Sequence, residues 1–99
     1  MQRFIGDWEV EVTSMVGGET SPWKFYEKDG YLTGEFFLMG NNENLGKIEI
    51  NDNEFEAHPT VNTPVGQLDV TVSGTIDGDH IKGVADGGMM VMNFDGHRK

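Results

Sequence analysis

Cysteine is absent from the 99-residue chain, so neither a disulfide framework nor a thiolate centre is open to it. The fold must rest on apolar packing, and the lack of thiols fits a reducing compartment. Basic residues are scarce, 7 against 17 acidic ones, and the resulting formal charge of −10 repels phosphate backbones and anionic lipid headgroups. Nucleic acid and membrane surfaces are therefore excluded as partners. No apolar run approaches the roughly 20 residues of a membrane span, and the opening MQRFIGDW lacks the apolar stretch of a signal peptide. The expectation is a soluble, cytoplasmic protein with residues 1–99 forming one domain. Apolar residues never recur at helical spacing for more than about one turn, so no long helix is expected.

What the chain does carry is alternation. In the segment 66–85, Leu68, Val70, Val72, Gly74 and Ile76 interleave with polar residues, Asp77-Gly78-Asp79 supplies a turn, and Ile81, Gly83 and Ala85 resume the pattern. Period two with a short polar turn is a β-hairpin. The same grammar predicts a first strand with Trp8, Val10 and Val12 on one face, a second with Trp23 and Phe25, and a third with Leu32, Gly34, Phe36 and Leu38. Gly40 to Asn44 reads as a polar loop. A fourth strand then carries Gly46, Ile48 and Ile50, and a fifth carries Phe55 and Ala57, ended by Pro59 and the Asn62-Thr63-Pro64 corner. The segment 66–85 gives the sixth and seventh strands, and Met90, Met92 and Phe94 share one face of an eighth.

Eight strands on short turns, with no helix to cover an apolar face, favour closure, because a barrel buries its inner face and removes its edges. The expected architecture is all-β, an eight-stranded antiparallel up-and-down β-barrel. Gly6-Asp7-Trp8 on the first strand, with Arg98 just after the last, resembles the calycin superfamily of lipocalins, fatty-acid-binding proteins and avidins. Asp29-Gly30-Tyr31-Leu32-Thr33-Gly34 also looks like an avidin hairpin. The hairpin layout over the whole chain is similar to that of small bacterial lipocalin-like proteins. The resemblance implies a lipocalin-like barrel in which Arg98 stacks on Trp8 as a structural pair. An indole at the barrel end is well served by a guanidinium on its face. The chain is shorter than a typical lipocalin and lacks the later tryptophans with which avidins hold biotin, so biotin binding is not carried over.

An apolar lumen is either a ligand pocket or a core. The aromatic residues favour filling, whereas inward glycines at Gly34, Gly46, Gly74 and Gly83 leave space on the facing wall. The first expectation is a barrel that binds a small apolar or aromatic molecule without chemistry, its wall formed by Trp23, Phe25, Phe36, Leu38, Phe55, Met90 and Met92. A second is a small isomerase, cyclase or lyase in which His58, beside Pro59 and near Glu56, Asp69 or Tyr26, carries a proton. A third is a self-associating module with a filled core, dimerising through outward Val84, Met89 and Val91. Phe37 and Met39 are further apolar residues expected to point outward. The histidines and carboxylates offer no metal-ligand spacing, the serines no nucleophile elbow and the glycines no phosphate loop, so no metal or cofactor is expected.

Overall fold

Alternating residues settle into strands because one face of each can then be buried while the other stays wet. A computed structural model of the chain describes residues 2–15, 17–38, 40–63, 66–88 and 90–99, with the backbone alone at 38 and 63. The first three strands are β1 (Gly6–Ser14), β2 (Gly17–Lys28) and β3 (Tyr31–Leu38). Shorter ones follow: β4 (Asn41–Asn44), β5 (Glu49–Asn51), β6 (Glu54–Ala57), β7 (Thr60–Thr63) and β8 (Gly66–Asp69). The chain closes with β9 (Thr71–Asp77), β10 (His80–Asp86) and β11 (Val91–Arg98). Tight turns set the registers. Asp29 and Gly30, both at positive φ (52° and 85°), join Lys28 to its partner Tyr31 in the turn geometry that matches strand twist.

Nine of these strands form one curled antiparallel sheet in the order β4-β3-β2-β1-β11-β10-β9-β6-β5, and β7 pairs with β8 alone. The first and last long strands are neighbours, Trp8 opposite Arg98 and Val12 opposite Phe94. Beyond β4 the chain continues along β3: the amide of Leu45 donates to Gly34 O and that of Ile48 to Leu32 O, both at 2.8 Å. Among the described residues no helix is long and apolar enough to cross a membrane.

Several expected boundaries shift, and the last strand runs on through Arg98 instead of ending before it. Gly40 to Asn44, read as a loop, contains β4, whose Asn side chains stay exposed while Glu43 and Leu45 turn inward. The corner after Pro59 contains β7, since a proline carbonyl still accepts a bond, here from the amide of Val70 at 2.9 Å. The sixth strand is interrupted at Val70 into β8 and β9. Eleven strands among the described residues therefore replace the eight expected.

The inward parity is otherwise realised. Trp8, Val10, Val12, Trp23, Phe25, Leu32, Phe36, Ile48, Phe55, Val70, Val72, Ile81, Met92 and Phe94 are buried, with Ile50, Leu68 and Met90 packed against them at partial exposure. Phe4, Leu45, Ala57, Val61, Ile76 and Ala85 belong to the same cluster. Phe37, expected outside, is half-buried, and Met39 and Met89 lie outside the described residues.

Candidate functional site

The inner face is aromatic, and its rings touch one another. Trp23 lies 4.7 Å from Phe94 and 5.9 Å from Phe36 between ring centroids, Phe25 lies 5.6 Å from Phe55, and Phe4 meets Phe55 edge-on at 6.1 Å. Three of the four glycines expected inward leave no room on the wall, because these rings lie over them, and the fourth, Gly46, is exposed. A Cβ on Gly34 would come within 2.7 Å of the Phe25 ring, one on Gly74 within 2.9 Å of Phe55, and one on Gly83 within 2.6 Å of Phe94. Of the wall residues named above, Trp23, Phe25, Phe36, Phe55 and Met92 are buried in this cluster and Met90 is partly exposed at its margin. The side chain of Leu38 lies outside the described set. Polar groups admitted to the interior are tied off. Trp23 Nε1 donates to Ser21 Oγ (2.9 Å), which donates to Phe37 O (2.5 Å), and the buried Glu43 accepts from the Asn62 amide at 3.4 Å.

At one end of the sheet the Arg98 guanidinium carbon lies 4.3 Å from the Trp8 ring centroid. Its Nη1 and Nη2 donate to the carbonyls of Ile5 and Arg3, each at 2.7 Å, and Nε to Asp79 at 3.3 Å. Trp8 Nε1 in turn donates to Phe4 O at 3.1 Å. One side chain thus joins the last strand to the segment before the first.

His58 is exposed on the outer face, its Nε2 3.2 Å from Glu56 Oε2 and its Nδ1 3.5 Å from Thr71 Oγ1. The other two neighbours considered for it are engaged elsewhere. Asp69 accepts from Thr60 Oγ1 at 2.8 Å, and Tyr26 donates to Glu35 at 3.1 Å. Asn42 also donates to Glu35, at 2.9 Å. The Asn42 bond, seconded by the Tyr26 hydroxyl, holds the Glu35 carboxyl below the usual carboxylate range. The same carboxylate pushes the Tyr26 phenol above its own. His80, placed by a turn in the sequence, stands opposite His97 across β10 and β11 and lies 2.7 Å from Asp95. No group of His, Asp and Glu among the described residues is arranged to hold a metal ion.

An open hollow lies on the outside. A groove of about 800 Å³ crosses β1, β11, β10, β9, β6 and β5. Registry explains its lining. One outward row runs Glu11, Asp95, Lys82, Thr75, Glu54, each the cross-strand partner of the next. A second runs Thr13, Asn93, Val84, Ser73, Glu56, Glu49. Between them the inward row contains Gly83 opposite Gly74, with no side chain to hold the sheet off the core. Five carboxylates, Glu11, Glu49, Glu54, Glu56 and Asp95, face a single amine, Lys82, which takes part in none of the ion pairs among the described residues. Val84 and Ile50 add apolar surface to the groove, and Val91 is half-exposed on the neighbouring strand. Nothing in the sequence read strand by strand brings these residues together. Comparison with protein-family models, curated proteins and solved structures finds no match for the chain.

Proposed function

We propose that the chain is a binding module without chemistry, built as a closed calycin-type barrel whose interior is its own core and whose working surface is the outer groove. Closure is supported by the run from β4 to β5: its first part bonds to β3 through Leu45 and Ile48, and its last part pairs with β6. Counted that way, β4 with β5, β6 with β7 and β8 with β9 are single interrupted strands, and eight remain. The observation that carries the functional reading is the contrast between the two faces. Inside, rings occupy the space above the glycines; outside, about 800 Å³ stands open.

A lumen ligand is the second reading, favoured by one feature: Leu68 and Met90 are only partly buried against the core, beside the small β7–β8 sheet. Thermal titration separates the two, because a ligand that binds only the native state raises its midpoint. Hydrophobic dyes and small aromatic compounds are expected to leave the midpoint and the indole fluorescence unchanged. A compound that raises the midpoint with concentration and alters tryptophan emission would move the binding site into the barrel.

A further inference from the structure

The groove has two chemical characters at once, and together they narrow what fits it. Its flanks are carboxylate-bearing rows, and its floor is the side-chain-free Gly83–Gly74 pair beside outward Val84, with Ile50 reaching its edge from the core side. Two of the carboxylates, Glu49 and Glu54, make no hydrogen bond or ion pair among the described residues, so their charge is not spent within the fold. A second copy of the chain is a poor occupant, since each copy carries a formal −10 and an isologous contact would set acidic row against acidic row. A small free polyamine would satisfy the carboxylates but leave the apolar floor unused.

Resting on the reading of a packed barrel that binds by its outer face, we propose that the groove receives an extended polypeptide segment with a basic residue at each end and an apolar residue between them. Asp95 and Glu54 lie three strand spacings apart in one row, about 14 Å, which is close to the separation of residues i and i+4 in an extended chain. Lys or Arg at those two positions meets Glu54 directly and Asp95 at the carboxylate oxygen that its 2.7 Å contact with His80 Nε2 does not use. Residue i+2 then falls between Lys82 and Thr75, next to the Gly83–Gly74 pair and Val84, where a β-branched or aromatic side chain has room. Lys82, between the two carboxylates, disfavours a third basic residue at i+2 and so sets the spacing.

The probe is the blocked pentapeptide acetyl-Lys-Thr-Val-Thr-Lys-amide, titrated calorimetrically into the intact chain, with acetyl-Glu-Thr-Val-Thr-Glu-amide and spermine as comparators. The lysine peptide is expected to bind, more weakly as salt rises from about 50 to about 300 mM, and the glutamate peptide is expected not to. Replacing both flanking carboxylates, Asp95→Asn with Glu54→Gln, is expected to weaken binding about thirtyfold, two exposed charge pairs at their upper range. The pair Glu27→Gln with Asp29→Asn removes the same charge from the β2–β3 turn, outside the groove, and is expected to leave affinity unchanged. Equal loss in both double variants would reduce the effect to net charge and overturn the site. Spermine binding as tight as the peptide's would overturn the peptide as occupant, and a concentration-dependent dimer abolished by Val84→Asp would replace it with a second copy. If the peptide fails to bind while hydrophobic compounds also leave the midpoint unmoved, the occupant falls and the packed barrel stands; if a compound enters the core, the packed barrel itself falls.

Discussion

Gly83 shows how little freedom a single position has where strands bend over a packed interior. Its missing Cβ would meet the Ser73 carbonyl oxygen, and would lie 2.6 Å from both Gly74 Cα and the Phe94 ring. Two of those three are backbone and cannot swing aside. Gly83→Ala is therefore expected to destabilise the fold by about 1–3 kcal/mol, the usual cost of overpacking. Urea unfolding with an unchanged slope would check it, and an alanine variant as stable as the parent would show that the ring and strand do not lie so close. Glu35 offers a second test. Its folded pKa is lowered, so its contribution to stability is present above the unfolded carboxylate value and is lost as pH falls through the folded one. Asn42→Ala removes the larger cause and should raise the Glu35 carboxyl titration seen by NMR; a carboxyl that titrates identically in both proteins would put the cause elsewhere. Such residue-level facts were partly legible. Trp8 and Arg98 announce a stacked pair by type and position, whereas Phe4 precedes any alternation and carries no pattern that marks it as core.

Among the elements, the run from Asn41 to Asn51 departs furthest from simple alternation. Leu45 and Ile48 both face inward although three residues apart, because Gly46 takes positive φ (71°) and resets the parity between them. A reading that kept strict period two placed Gly46 inside and missed Leu45. The polar sequence Asn41 to Asn44 concealed β4 for a different reason: a strand whose inward residue is Glu43 offers no apolar signal, and its pairing to β3 becomes visible only in three dimensions. Val61 could have been found, since it continues the parity of Phe55 and Ala57 through Pro59, and only the assumption that proline ends a strand hid it. Whether this run closes the sheet is a question for amide exchange. The amides of Leu45 and Ile48 are expected to exchange as slowly as those inside the β9–β10 pairing, because both donate across to β3 at 2.8 Å. Exchange as fast as that of the exposed Gly40 would leave the sheet open along this seam.

For the whole molecule, the face turned inward follows from one-dimensional pattern, and the face turned outward does not. Inward parity is a property of each strand and needs no partner, so most of the core could be read off the chain. The acidic groove is a property of register: Glu11, Asp95, Lys82 and Glu54 are neighbours only because four pairings bring them into one row. Registry depends on turn lengths and on the β1–β11 pairing, and no local window contains that information. The same limit explains why His80 and His97, 17 positions apart in the chain, stand opposite each other.

The side-by-side placement of β1 and β11 governs how the molecule comes into being. Trp8 is covered on one flank by β2, which is made soon after it, but on the other it waits for Arg98, nearly the whole chain later. During synthesis β1 thus has a bare flank until β11 has been made, and a pairing between strands so far apart in the chain raises the contact order that slows folding.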